Sequence, residues 1–272
     1  MPTLPFAQID AFASQAFEGN QACVMPLDAF LADEVMQKIA AENNVAETAF
    51  IVPNGDGIWK LRWFTPAVEV PLCGHATLAA GHYLYSIAGY GGDQITFQTV
   101  QSGDLFVSRL DDGRLEMDFP AQAAEPVEVD AEIAEAFGKT PIKGFVGPCY
   151  VGLYETADEI RALQPDLERL KTLGTSDGKW GVGNFGVLAL DGDEVDVTSR
   201  FFAPGSGIPE DPATGSWHCM VAPLVEQLKG ETTARCYQAY PGRGAYVDVE
   251  LAGDRVKLRG HSVTVIEGTF RL

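Results

Sequence analysis

Hydrophobic and polar positions along the chain predict many short β-strands and a few helices. Runs of alternating or β-branched residues, which are typical of strands, recur throughout. The predicted strands are Pro5–Phe12, Ala49–Pro53, Trp59–Phe64, Gln94–Thr99, Leu105–Leu110, Arg114–Phe119, Phe145–Val151, Gly186–Asp191, Glu194–Phe202, Ala245–Leu251, Val256–Arg259 and Ser262–Arg271. Helical spacing is clearest in Leu31–Glu42, His75–Ile87, Ala131–Phe137 and Ser216–Lys229. This mixture predicts a strand-rich α+β protein.

Two of the predicted helices have the same lead-in. His75–Ile87 is almost uncharged all round and Ser216–Lys229 has an apolar beginning, so both should be buried. Each follows an aromatic strand, a proline, a loop, a second proline and then a glycine with a polar residue. The two copies lie half the chain apart, which indicates an internal duplication with a boundary near Pro120–Pro126.

The charge balance narrows the classes of partner. With 19 Lys and Arg against 38 Asp and Glu, the net charge of −19 disfavours nucleic acid and membrane surfaces. The five cysteines form no C-x-x-C pair, which argues against a structural zinc site and a disulfide framework. The first basic residue is Lys38, so no signal peptide is expected. We therefore expect a reduced, cytoplasmic protein.

The starts of the two buried helices form a candidate anion site. Gly74-His75 and Gly215-Ser216 would each present unpaired backbone N–H groups at the positive end of a helix dipole. If both pointed at one cleft, they would bind an anion without Lys or Arg. The alternative is that both are simply capped helices of the core.

Two carboxylates are candidates for proton transfer. Glu47 lies between a helix end and an apolar strand, where partial burial would raise its pKa towards neutrality. The alternative is a solvated turn residue. Asp211 lies between Pro209 and Pro212. If the two carboxylates shared a cleft, different surroundings could keep one protonated and the other ionised.

Three other patterns carry less weight. Gly181–Gly186 matches G-x-G-x-x-G, but a strand-like run follows where a dinucleotide site needs a helix. His75 and His82 lie two helical turns apart, too far to share a metal ion, and no metal site is expected. Cys73 beside His75 looks like a nucleophile pair, although no third orienting group is identifiable.

Five segments together resemble the PhzF-like family, named for an isomerase of phenazine biosynthesis, which shares the fold of diaminopimelate epimerase. They are Phe17–Val24, Glu47–Phe50, Pro71–Thr77, Phe201–Pro204 and Glu210–Ser216. The resemblance implies two pseudo-symmetric domains with a cleft between them, each a strongly curved mixed β-sheet around a central helix. Residues 1–119 would form the first domain, to which the strand 261–272 returns, and residues 120–260 the second.

The resemblance also implies roles for individual residues. Glu47 would carry the proton within a small amino or dihydroaromatic acid, while His75 and Asp211 complete the catalytic set. The substrate-binding residues would be Asn20, Gly74, Thr214, Gly215 and Ser216. No cofactor is expected, and the family suggests a homodimer.

Departures from the family pattern leave alternatives open. Ala46 stands where the family often has Ser. Cys73 stands where epimerases and proline racemases of this fold place their first catalytic Cys, but the position of the second falls near Thr214. A two-thiol racemase is therefore disfavoured, whereas a one-base hydroxyproline dehydratase or epimerase using Cys73 stays open, as does a non-catalytic small-acid-binding protein. Trp217 and His218 replace small residues and suggest a narrower cleft floor.

Overall fold

The computed structural model describes residues 3–174, 181–191 and 194–272. The chain divides into two units, Met1–Phe119 with Arg259–Leu272 and Pro120–Leu258. Each unit combines a mixed β-sheet with a small number of helices, so the α+β class expected from the sequence is confirmed.

The first unit is built around one buried helix. Its strands are β1 (Thr3–Ala11), β2 (Asn20–Pro26), β3 (Glu47–Pro53), β4 (Ile58–Phe64), β5 (Glu69–Val70), β6 (Gln94–Thr99), β7 (Asp104–Arg109), β8 (Leu115–Pro120) and β18 (Ser262–Arg271). Its helices are α1 (Asp33–Asn43) and α2 (Gly74–His82), and α2 continues into a π-helical turn, Tyr83–Ile87. Strands β1, β2, β3, β7 and β18 all contact α2 and so surround it.

The strands of the first unit follow the order β18-β1-β2-β3-β4-β6-β7-β8. The β2–β3 and β4–β6 pairs are parallel and the other neighbours are antiparallel, while the short β5 pairs with the end of β4. Because β2 and β3 run parallel as neighbours, their first residues lie at the same edge of the sheet.

The second unit has a similar set of elements. Its strands are β9 (Glu125–Val127), β10 (Lys143–Val146), β11 (Tyr150–Tyr154), β12 (Phe185–Ala189), β13 (Val197–Phe202), β14 (Glu210–Asp211), β15 (Thr233–Gln238) and β16 (Ala245–Ala252), followed by β17 (Arg255–Gly260). Its helices are α3 (Ala131–Phe137), α4 (Ala157–Ala162), α5 (Leu167–Leu170) and α6 (Gly215–Lys229). Helix α6 is largely buried and packs against β15 and β16.

The pairing pattern of the first unit recurs in the second. Strands β10 to β16 repeat it: β10–β11 antiparallel, β11–β12 parallel, β12–β13 antiparallel, β13–β15 parallel and β15–β16 antiparallel. The short β14 pairs with the end of β13, as β5 does with β4. Helix α6 therefore occupies the same place in the chain order as α2, in agreement with the duplication inferred from the two lead-ins.

Several predicted elements were wrong or incomplete. The single strand predicted over Phe145–Val151 is two strands, β10 and β11, because Pro148 lies in the turn between them. The strand predicted from Glu194 begins at Val197. Strands β2 and β15 were not predicted; β2 is buried on both faces and so shows no alternation. A strand, β12, does follow Gly181–Gly186, as the sequence indicated.

Trp217 and His218 are buried inside the second unit. The Trp217 ring occupies the space above Gly186, where any side chain would overlap it, and Nε1 donates to Ser199 Oγ at 3.2 Å. His218 Nδ1 lies 2.8 Å from the carbonyl oxygen of Thr214. The bulk of both residues is therefore accommodated by the core of this unit.

Candidate active site

Three elements of the first unit bring Asn20, Glu47 and His75 together. Asn20 begins β2 and Glu47 begins β3, and the parallel register places Ala22 opposite Glu47. His75 is the second residue of α2, which packs on both strands. Residues far apart in sequence thus meet where two strands and one helix begin.

The imidazole of His75 is held from both sides. Its Nε2 lies 2.9 Å from Glu47 Oε2, and its Nδ1 lies 3.2 Å from Asn20 Nδ2. Oε2 is buried, and its contact with Nε2 is an ion pair when His75 is protonated. The Asn20 amide can serve either protonation state of His75, because Nδ2 donates to a bare Nδ1 and Oδ1 accepts from a protonated one.

Cys73 completes this cluster. Its Sγ lies 3.5 Å from His75 Nδ1 and 3.9 Å from Nε2. Residues two apart within a helix do not face each other, but Cys73 is the extended residue that precedes α2, with φ −145° and ψ 110°. Thr77 Oγ1 donates to the carbonyl of Cys73 at 2.6 Å and so fixes this start of the helix.

The ionisation of the cluster differs from the sequence-based expectation. Burial opposes ionisation of Glu47, but the charge of His75 and hydrogen bonds from His75 and Cys73 outweigh it and lower the pKa of Glu47. The raised pKa that we expected for Glu47 is therefore wrong, because that expectation considered burial without the histidine. Burial also disfavours a charged His75, yet Cys73 and Glu47 raise the pKa of His75 well above its ordinary value. Burial, followed by the charge of Glu47, raises the pKa of the Cys73 thiol to about 11.

The second unit holds a different polar cluster around Thr214. Thr214 Oγ1 donates to Asp211 Oδ2 at 2.5 Å. Gln238, at the end of β15, accepts from the Thr214 N–H at 3.0 Å and donates to the Asp211 carbonyl at 2.6 Å. Gln238 is fully buried, so it ties the loop before α6 to the sheet. The sequence offered no signal for it beyond a polar residue in an apolar strand, and β15 itself was not predicted.

The two central helices begin at the glycines expected from the sequence, Gly74 and Gly215. Among the described residues, neither helix has a side chain that caps its first N–H groups. Thr214 directs its hydroxyl to Asp211 instead, and Ser216 is exposed. Both helix starts therefore keep backbone donors for another acceptor.

The chain matches one family model over almost its whole length. The model of the phenazine biosynthesis-like proteins, PhzC-PhzF, matches residues 9–268. The chain belongs to the phenazine biosynthesis-like family. An uncharacterized isomerase of Pseudomonas aeruginosa is 43% identical over 272 residues, which is 99% of each chain.

Solved structures of the phenazine biosynthesis-like family have the same fold. A PhzF family protein of Enterococcus faecalis superposes with a TM-score of 0.93 at 34% identity over 100% of both chains. A predicted epimerase of Pseudomonas aeruginosa gives a TM-score of 0.72 at 26% identity, covering 98% of this chain and 99% of its own. The resemblance to PhzF-like isomerases and the epimerase-like fold are therefore confirmed, and relatives named isomerase and epimerase indicate activity of that type.

The predicted site residues fall into two groups in this phenazine biosynthesis-like protein. Asn20, Glu47, Gly74 and His75 lie together in the first unit. Asp211, Thr214, Gly215 and Ser216 lie together in the second. Cys73 joins the first group, and its Sγ, a His75 nitrogen and a Glu47 oxygen all lie within 4.8 Å of one another.

No helix within residues 3–174, 181–191 and 194–272 combines the length and the apolar character that a transmembrane helix needs.

Proposed function

We propose that this protein is a cofactor-independent isomerase in which Glu47 moves a proton within a small carboxylate-bearing substrate, an amino acid or a dihydroaromatic acid. The observation that carries the proposal is the buried contact of 2.9 Å between Glu47 and His75, with Asn20 on the far side of the imidazole. A carboxylate beside a base that can hold charge can accept a proton and give it back.

The proposed reaction needs one proton carrier. Ionised Glu47 removes a proton from a carbon of the substrate, and the electron pair left behind shifts the double bond. The proton held by Glu47 exchanges with water, and Glu47 then protonates a different carbon. His75 keeps Glu47 ionised before the transfer, since its charge lowers the pKa of the carboxylate. The atoms of the product are those of the substrate, so the reaction is an isomerisation.

We assign substrate binding to the second group of residues. The first N–H groups of α6, at Gly215 and Ser216, suit a carboxylate because they lie at the positive end of a helix dipole. Thr214 and Gln238 fix the loop that precedes them, and Asp211 would orient a polar group of the substrate. The backbone N–H of Gly74 offers the same chemistry at the start of α2.

A second candidate uses Cys73 as the base of a one-sided elimination or epimerisation. The distance of 3.5 Å between Cys73 Sγ and His75 Nδ1 favours it, since histidine is a common partner of a reactive thiol. Against it, burial and Glu47 raise the pKa of Cys73 to about 11, which keeps the thiol protonated near neutral pH. The non-catalytic alternative is a protein that binds small acids through the same helix starts.

Deuterium incorporation from D₂O into a panel of amino and dihydroaromatic acids separates these functions. We expect the wild type to label a substrate and Glu47→Gln to lose that exchange, while Glu42→Gln, at an exposed position in α1, keeps it. Exchange that survives Glu47→Gln and disappears in Cys73→Ser would replace the proposal with the Cys73 reaction. Saturable binding of acids with no exchange in any of them would favour the non-catalytic protein.

Cellular location and assembly complete the proposal. The acidic charge of −19 supports a protein without nucleic-acid or membrane-surface partners, which we propose to act in the cytoplasm. We propose a homodimer, and sedimentation equilibrium of the purified chain measures its mass directly.

A further inference from the structure

Glu47, Cys73 and His75 place three different kinds of ligand atom close together. A carboxylate oxygen, a thiol sulfur and an imidazole nitrogen all lie within 4.8 Å of one another. Nε2 of His75 lies 2.9 Å from Glu47 Oε2 and 3.9 Å from Cys73 Sγ. Zn²⁺ binds nitrogen and oxygen at about 2.1 Å and sulfur at about 2.3 Å, so the ligands of a tetrahedral site lie about 3.3–3.6 Å apart. The Nε2–Oε2 distance would open by about half an ångström, and Cys73 Sγ would swing by rotation about its Cα–Cβ bond from beside Nδ1 towards Nε2 to complete one face of such a site.

The chemistry of the three ligands selects among metal ions. Sulfur and imidazole ligands favour Zn²⁺ over Mg²⁺ or Ca²⁺, which prefer oxygen. Three protein ligands leave a fourth position for water or for a carboxylate from solution. Glu47 Oε2 is buried and lies 2.9 Å from His75 Nε2, so a metal ion bound to both atoms would replace the proton that they share.

The surroundings support a bound cation. Asn20 lies 3.2 Å from Nδ1, where its amide oxygen can accept the proton that Nδ1 carries once Nε2 binds a metal. The helix dipole at the start of α2 opposes a cation weakly. The carboxylate and thiolate ligands supply two negative charges that oppose this repulsion, and the net charge of −19 attracts cations to the protein.

We propose that Glu47, Cys73 and His75 form a Zn²⁺ site whose occupation switches off the proton relay. Coordination releases the Cys73 thiol proton and the Nε2 proton of His75 to the buffer, and it occupies the carboxylate that would carry the substrate's proton. Metal binding stands on geometry alone, whereas the loss of activity rests on the proposed function of Glu47. Zn²⁺ would thus act as an inhibitor of this enzyme.

Binding is tested on tag-free, full-length protein without any substrate. Equilibrium dialysis in metal-buffered solution should give one Zn²⁺ per chain. Cys73→Ala and Glu47→Gln should each weaken binding at least about tenfold, since each removes a ligand. The matched controls, Cys23→Ala in β2 and Glu42→Gln in α1, should bind as the wild type does. Unchanged affinity in both ligand variants, or no binding by the wild type, would overturn the proposal.

Co²⁺ provides a readout that does not depend on how the variants fold. Substituted for Zn²⁺ in the wild type, it should show thiolate-to-metal charge transfer in the near-ultraviolet and the intense visible bands of a tetrahedral site. Absence of the charge-transfer band would exclude Cys73 as a ligand and with it the proposed site. Persistence of the band in a folded Cys73→Ala variant would place the metal elsewhere and have the same consequence.

Activity separates the two proposals. We expect stoichiometric Zn²⁺ to abolish deuterium exchange by the wild type and a chelator to restore it. If Zn²⁺ binds the three residues but Glu47→Gln exchanges at the wild-type rate, the proposed function fails and the metal site stands. If Glu47→Gln abolishes exchange while the wild type binds no Zn²⁺, only the metal proposal fails.

Discussion

Two histidines near the starts of the central helices have opposite electrostatic surroundings. His75, in α2, faces the carboxylate of Glu47, and its pKa is raised by Cys73 and Glu47 in spite of burial. His218, in α6, has its Nδ1 2.8 Å from the carbonyl oxygen of Thr214, and burial lowers its pKa to about 4. Both are deeply buried. For these two buried histidines, an acidic partner rather than burial therefore decides which one holds a proton.

The neighbours of the two histidines extend this contrast. Around His75 lie titratable side chains, Glu47 and Cys73, which can exchange protons. His218 contacts the carbonyl of Thr214, and the Thr214 hydroxyl accepts in turn from the amide of Gln238, so neither of these neighbours changes charge. This contrast agrees with the proposal that the start of α2 moves protons and the start of α6 holds the substrate.

Removing the charge of His75 should have the largest effect. His75→Gln keeps a donor near Glu47 but cannot hold a proton, so we expect kcat for deuterium exchange to fall by about 10²–10⁴. His82→Gln is the matched control, since His82 lies on α2 and contacts Thr264 Oγ1 at 3.0 Å instead of the cluster. Equal rates for the two variants would remove His75 from the relay.

Gln238 should matter chiefly for stability and the geometry of the second cluster. Gln238→Leu would leave the Thr214 N–H and the Asp211 carbonyl without their present partner, at a cost of about 3 kcal/mol in the free energy of unfolding. Gln98→Leu, at the exposed Asn54 contact in β6, is the control. Urea denaturation measures both, and a change for Gln238→Leu no greater than the control would contradict its role.

His218 should make the protein less stable in acid. Its folded pKa of about 4 lies below its ordinary value of 6.5, so the unfolded chain binds more protons between these values and stability falls as pH falls from 6.5 towards 4. When the pH falls from 7 to 5, the free energy of unfolding of the wild type should fall by about 2 kcal/mol relative to that of His218→Asn. Urea midpoints at the two pH values test this, and a constant difference would show that His218 titrates normally.

The smallest effect is expected at Ser216. Its exposed hydroxyl stands at the second position of α6, where a substrate carboxylate would accept one hydrogen bond. Ser216→Ala should raise KM about fivefold, equivalent to about 1 kcal/mol, and leave kcat nearly unchanged. Ser86→Ala, exposed after α2, is the control. A drop in kcat without a change in KM would assign Ser216 to the chemistry instead of binding.

The fold was predictable where local signals are strong. Helix α3 has the predicted bounds because Asp130 caps its start and Gly138 ends it in a left-handed conformation. Strand β6 also has its predicted bounds. Strand β2 escaped prediction because burial on both faces removes the alternation on which the prediction depends.

The structure brings the predicted residues Glu47 and His75 into contact, but the electrostatics of that contact could not be predicted from the sequence. Glu47 and His75 stood out through the family resemblance, and the start of α2 was expected at the Gly74-His75 pair. Their contact of 2.9 Å depends on β2, β3 and α2 packing together, which no local pattern encodes. The direction of the Glu47 pKa shift followed from that contact, so it could be obtained only from the structure.

The contrast between the two histidines is tested most directly by NMR titration of the imidazole nitrogens. Assignments would come from the His75→Gln and His218→Asn variants. The account predicts that His75 carries protons on both nitrogens at pH 7, while His218 is neutral at pH 7 with its proton on Nδ1 and becomes charged only near pH 4. A neutral His75 at pH 7, or two histidines that titrate together, would contradict it.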